Sequence, residues 1–153
     1  MFKRILVAID GSDAARAALG ESIELARRIQ ARVRILHVIN QMPWSGSTVS
    51  GEVLQGLMDG LRGTGESLLH EALRSARAAG IDADTRLVEA PGADAGEYVT
   101  KAAGAWGADL IVCGTHGRRG LRRAVIGGDA EYIVRHCAVP VLVVRAACET
   151  DRA

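Results

Sequence analysis

The sequence predicts an α/β domain built on one doubly wound, open sheet of five parallel strands with helices on both faces. Three observations lead there. Five short apolar runs alternate with longer stretches of helical period, in the order β-α-β-α-β-α-β-α-β. The clearest run, Ile5-Leu6-Val7-Ala8-Ile9, is continuously apolar, which implies burial on both faces as in a helix-covered parallel sheet. Right-handed crossovers between such strands then give the doubly wound topology.

Phe2 to Ile9 reads as the first strand. Asp10-Gly11-Ser12-Asp13 supplies a turn and a helix N-cap, since a Ser or Asp side chain accepts from the free amides of a first turn. Ala14 to Ile29 follows as an amphipathic helix, with Ala15, Ala18, Leu19, Ile23 and Ala26 at spacings of three and four. Val33 to Ile39 is a second buried strand, and Asn40 to Gly51 has loop composition. Helical period returns from Glu52 to Ala79, interrupted by Gly60, Gly63 and Gly65, so a break or fraying is expected in its first half. Gly80 ends that helix as a C-terminal cap.

Asp84 to Glu89 is a third, more polar strand, as suits a sheet edge. Pro91-Gly92 turns the chain into a helix from about Asp94 to Gly104, and Ala108 to Cys113 is the fourth strand. A glycine-rich loop runs from Gly114 to Gly128, Ala130 to Arg135 forms the last helix, and Val139 to Arg145 the fifth strand. One domain over residues 1–146 is expected, with a flexible tail at 147–153.

Composition narrows the function classes. The chain is 48% hydrophobic but only 3% aromatic, so its core is aliphatic. With 19 basic and 18 acidic residues the formal charge is +1, which argues against a broad footprint for nucleic acid or an anionic membrane. The apolar run at Ile5 to Ile9 is too short for a signal core, and no stretch approaches the length that spans a bilayer. Cys113, Cys137 and Cys148 are odd in number and show no CxxC spacing, which argues against a disulfide scaffold or zinc cluster and suits a reducing compartment. The expectation is a soluble, cytoplasmic protein.

In doubly wound sheets ligands bind beyond the carboxyl ends of the strands, where the strand order reverses. Two segments have the chemistry for that place. Gly114-Thr115-His116-Gly117 leaves the fourth strand and Gly127-Gly128 opens the last helix. Glycines allow close approach of backbone amides to an anion, and a helix start adds unpaired donors and a positive dipole end. A phosphate suits such a cradle; a ligand-free structural turn is the alternative. His116 sits within it, either donating to phosphate or bonded within the loop. Arg118, Arg119, Arg122 and Arg123 are either phosphate ligands or solvated loop residues. Asp10, at the end of the first strand, is placed to accept from a ribose hydroxyl or help hold a metal ion, or else to shape the turn.

Lys3-Arg4-Ile5-Leu6-Val7-Ala8-Ile9-Asp10-Gly11-Ser12 resembles the opening of the universal stress protein family. Gly107-Ala108-Asp109-Leu110-Ile111-Val112-Cys113-Gly114-Thr115-His116-Gly117-Arg118 and Val139-Pro140-Val141-Leu142-Val143-Val144 are similar to its other two signatures, and Leu36-His37-Val38 to the end of its second strand. The resemblance runs from Phe2 to Arg145 and implies the adenine-nucleotide alpha-hydrolase-like fold with strand order 3-2-1-4-5. The ATP-binding branch carries G-x2-G-x9-G-[S/T], and Gly114, Gly117 and Gly127 match its glycines in spacing.

By that resemblance, the Gly114, Gly117 and Gly127 amides hold phosphates, Asp10 binds ribose, and Ala8, Ile9 and Val38 flank the nucleoside, with the Val38 backbone reading adenine. The implied ligand is ATP or another adenine nucleotide, with or without Mg²⁺. The last strand, Val139 to Val144, is implied to pair with its copy in a homodimer. The chain departs from the pattern at the Ser/Thr position, where Gly128 keeps its amide but forgoes a hydroxyl worth ~1 kcal/mol. Asp129 follows and adds a carboxylate to the first turn of the phosphate-binding helix.

The expected function is therefore a nucleotide-binding regulatory module of the stress response. The alternative is a dimeric interaction module that needs no nucleotide. No Gx4GK[S/T] loop, Ser-His-Asp context or paired-histidine motif is present, so slow ATP hydrolysis is the most this set would support, with no general base assigned. A phospho-acceptor receiver domain would need Asp at the third strand end and Lys near the fifth, where Val88-Glu89-Ala90 and Arg145 stand.

Overall fold

Continuous apolarity has the expected consequence: Ile5, Leu6 and Val7 are fully buried, and β1 (Arg4–Ala8) runs through the middle of the sheet. The computed structural model describes residues 1–41, 50–92, 94–115 and 126–146; the anticipated tail at 147–153 lies outside them. After β1 come α1 (Asp13–Ile29), β2 (Arg32–Gln41), α2 (Gly51–Ala78), β3 (Ala83–Pro91), α3 (Ala95–Trp106), β4 (Leu110–Gly114), α4 (Gly128–His136) and β5 (Val141–Val144). All neighbouring strands are parallel and the sheet order is β3-β2-β1-β4-β5. The more polar β3 is an edge, as its sequence suggests.

Alternate strand residues divide the core into two layers. Ile5, Val7, Val33 and Ile35 pack beneath α1 and α2, while Leu6, Leu36, Ile111 and Cys113 pack beneath α3 and α4. The helices meet the sheet through small residues, including Ala18, Ala26, Ala72, Ala76 and Ala103, which lets an aliphatic core close without aromatic filling.

The expected break in the second helix does not occur. α2 is one unbroken helix of 28 residues. Each interior glycine costs about 1 kcal/mol against alanine, which burial along the rest of the helix outweighs. Gly65 instead marks a contact: a Cβ there would lie 2.8 Å from His37 Cδ2 and 3.0 Å from Leu87 Cδ1. The exposed Val53, Leu57 and Leu61 show that the first half of α2 is the less buried part.

Three helices stop by one device. The residue after the last turn takes a left-handed conformation, at Gln30 (φ 55°), Gly80 (φ 77°) and Gly107 (φ 69°). The next amide bonds back across the turn, from Ala31 to Ala26, Ile81 to Ala76 and Ala108 to Ala103. Gly80 acts as predicted. Gln30 fills the same role with a side chain that pays the left-handed strain.

Candidate functional site

The strand order reverses between β1 and β4: the chain winds outward through β2 and β3, and α3 then carries it back across to β4 on the other side of β1. The crevice beyond their carboxyl ends is where this topology places a ligand. Asp10 lies at its rim, half-buried, with Oδ1 accepting the Ser12 amide at 2.9 Å. Ser12 Oγ in turn accepts the Ala15 amide at 3.2 Å and caps α1. Asp10 thus has the turn-shaping role while its carboxylate stands at the end of β1.

Ile9 donates its amide to the Leu36 carbonyl at 2.8 Å, and its carbonyl accepts His37 Nδ1 at 2.7 Å. Peptide groups two apart on a strand point the same way. The Val38 N–H and C=O therefore face the line of β1, as those of Leu36 do, but just past the end of that strand. Ala8 and Val38, both half-buried, belong to the layer shared with α3 and α4; Ile9 belongs to the other.

On the β4 side, Gly114 is where α1 comes closest: a Cβ would lie 2.8 Å from Ala14 Cβ and 3.0 Å from the Ala15 amide nitrogen. Only glycine admits that approach. Thr115 is buried; its amide donates to the Val144 carbonyl at 2.8 Å and its carbonyl accepts the Gly127 amide at 2.7 Å. The Gly127 amide, expected to meet a phosphate, closes the base of the loop in this structure. Gly127 is the N-cap of α4, and the first amide bonded within the helix is that of Glu131, to the Gly127 carbonyl at 2.9 Å. The amides of Gly128, Asp129 and Ala130 are the first-turn donors at this end.

Asp129 turns to α3. Its Oδ1 accepts the Gly96 amide at 3.0 Å. A Cβ on Gly128 would meet no described atom within 4 Å. His116 and Gly117 lie outside the described residues, as do Arg118, Arg119, Arg122, Arg123 and Cys148. The structure therefore brings Asp10, Ala8, Ile9, Val38, Gly114, Gly127 and Gly128 to one sheet end and gives Asp129 a partner in the neighbouring helix.

Sequence reading passed over His37, Gly65 and Gly96 as working parts. The signal for His37 was a lone polar residue inside the apolar run Ile35 to Ile39; for the two glycines no local signal separates a contact from a helix flaw. Cys113 packs in the α3/α4 layer, and burial pushes its thiol up to about 11, so it remains a neutral, apolar neighbour of the site. Arg34, near the amino-terminal end of β2 and so at the opposite end of the sheet, bonds Asp84 at 2.6 Å and lies 4.6 Å from the Trp106 ring centre. Among the described residues no group of three or more His, Cys, Asp or Glu is placed to hold a metal ion, and no helix is long and apolar enough to cross a membrane.

A family model described as the universal stress protein family matches residues 1–145. A universal stress protein of Methanocaldococcus jannaschii is 33% identical over 148 residues, covering 95% of this chain and 83% of its own. A crystal structure from that family in Burkholderia pseudomallei is 33% identical, covers 95% of this chain and 97% of its own, and has a TM-score of 0.76. Two solved structures that share the fold contain nucleotides. One is the universal stress protein of Archaeoglobus fulgidus in complex with dAMP, with 22% identity, 94% and 98% coverage and a TM-score of 0.63. The other is an Arabidopsis thaliana family protein with AMP bound, with 16% identity, 99% and 96% coverage and a TM-score of 0.71.

Proposed function

Because this chain belongs to the universal stress protein family, we propose that it is a regulatory module that binds an adenine nucleotide at the carboxyl ends of β1 and β4. The observation that supports this best is the opening of the Val38 peptide groups past the end of β1, beside the Asp10 turn and on the side of the sheet where α4 begins. A purine edge needs such a donor and acceptor, a ribose needs a carboxylate, and a phosphate needs a helix start. Asp10 would hold ribose hydroxyls, Val38 the adenine edge, and Ala8 and Ile9 the flank. The amides of Gly114, Gly128 and Asp129 would meet phosphate, with His116 and Gly117 joining them by their place in the motif.

The Gly127 amide is engaged and position 128 has no hydroxyl, so the cradle suits one phosphate better than three. The AMP and dAMP held by the two proteins of this fold agree with that preference. With ATP, Mg²⁺ would offset the added charge. The protein acts by binding rather than by turnover, in the cytoplasmic stress response.

The proposed assembly is a homodimer through β5. Pro140 and Val144 carbonyls bond to β4, so the Val141 and Val143 peptide groups point outward from the sheet edge, and Leu142 is 39% exposed beside them. Val143→Pro removes an outward amide without touching the β4 ladder; sedimentation should show a dimer for the parent chain and a monomer for this variant.

Calorimetric and thermal-shift titrations with ATP, ADP and AMP, with and without Mg²⁺, test the nucleotide site. Saturable binding weakened about tenfold or more by Asp10→Ala is expected, with AMP at least as tight as ATP. No binding to millimolar concentration by a folded protein would overturn it. The missing hydroxyl at Gly128 would then favour the second reading, a dimeric interaction module independent of nucleotide.

A further inference from the structure

We infer that His37 is a positioning residue for this site, holding the end of β1 from the α2 side of the sheet; the inference rests on the nucleotide reading above. The ring is 7% exposed and its Nδ1 lies 2.7 Å from the Ile9 carbonyl oxygen. A carbonyl only accepts, so Nδ1 carries the hydrogen and the tautomer is fixed. On its other side the ring rests against α2, where a Cβ on Gly65 would lie 2.8 Å from Cδ2 and 3.3 Å from Nε2. The imidazole is a wedge between the long helix and the central strand.

What it replaces explains its effect. Continuing the β1–β2 ladder past Ile9 would give the Ile9 carbonyl to the Val38 amide. His37 supplies the donor instead, from the face opposite α4. The ladder can then end at Ile9, with the Val38 peptide groups turned to the crevice. The Ile9 carbonyl belongs to the peptide that leads into Asp10, so fixing it also fixes the start of the turn in which Asp10 accepts the Ser12 amide. Gly65 sets the depth of the wedge, and the α2 glycine that looked like a helix flaw becomes part of the site's support.

The test compares His37→Ala with His37→Asn. The Asn amide nitrogen occupies roughly the place of Nδ1 and can donate to the same carbonyl while the outer part of the ring is lost, whereas Ala removes the donor with the whole ring. Two readouts are taken: amide hydrogen exchange at Ile9 and Ser12, and the AMP dissociation constant. His37→Ala should speed exchange at both amides about tenfold or more relative to Ile111 and Val112 in β4, and weaken AMP about tenfold. His37→Asn should recover most of both effects. Gly65→Ala, whose Cβ would press on the ring, should weaken AMP in the same direction despite its better helix propensity.

Unchanged exchange at Ile9 and Ser12 in His37→Ala overturns the inference, as does equal AMP binding by that variant or an Asn variant no better than Ala. If the parent chain itself binds no AMP, the nucleotide reading fails and with it any role of His37 toward a ligand. The exchange data then report separately whether His37 still holds the turn.

Discussion

The Asp129 carboxylate of α4 accepts the Gly96 amide of α3 at 3.0 Å, so the first turn of one helix caps the first turn of another. Asp94, the N-cap of α3, makes no side-chain cap of its own, and Asp129 supplies the missing acceptor from 33 residues away. The contact is backed by close packing: a Cβ on Gly96 would lie 2.7 Å from the Asp129 carbonyl oxygen and 3.0 Å from Tyr132 Cβ. A carboxylate that would otherwise face a polyphosphate is spent between two positive helix ends.

Removing that acceptor should cost what an N-cap costs. Asp129→Ala is expected to destabilise by about 1 kcal/mol, lowering the melting temperature by roughly 2–4 °C, with Asp129→Asn, which keeps an acceptor oxygen, recovering most of that loss. Gly96→Ala should be worse, by about 1–3 kcal/mol, because backbone rather than a movable side chain stands in the way. Thermal and urea melts of the three variants check the order.

Gly128→Ser restores the hydroxyl that the nucleotide motif calls for, at a position where an added Cβ meets no described neighbour within 4 Å. Its stability should change by less than about 0.5 kcal/mol. Affinity for a phosphate-bearing adenine nucleotide should rise several-fold, and Gly128→Ala should show no such rise. Calorimetric titration of the pair separates the hydroxyl from the Cβ.

Gln30 holds a left-handed conformation that Gly80 and Gly107 hold at the ends of α2 and α3. Gln30→Gly relieves the strain, partly offset by the freer unfolded chain, and is expected to stabilise by about 0.5–1 kcal/mol. A higher urea midpoint with unchanged slope is the expected result.

Asp84 ties acid stability to the opposite end of the sheet. Its hydrogen bond to Arg34 holds the carboxyl below its ordinary value, against the opposing effect of burial. Since the folded value lies below the unfolded one, the stabilisation is present above about pH 4 and is lost as pH falls through the depressed folded value. Asp84→Asn should therefore be less stable than the parent chain at pH 7, and the gap should narrow as the medium is acidified. Urea midpoints at about pH 7 and pH 3 measure it.

The strands, their parallel arrangement and the sheet end at which Asp10, Val38, Gly114 and Gly127 gather are legible in the residues alone. Those features are written locally: burial on both faces needs a continuous apolar run such as Ile5 to Ile9, and a helix stop such as Gly80 needs a residue that tolerates positive φ. Tertiary structure decided which partner completes each polar group. His37 meets Ile9 across 28 residues, and Asp129 meets Gly96 across 33. The Gly127 amide meets Thr115 rather than the open cradle. Gly65 reads in sequence as a weak point of α2, and only the approach of that helix to His37 makes it a contact. Propensity is set by each residue's own backbone and solvent, whereas hydrogen-bond partners and close approaches depend on where the crossovers lay one element on another.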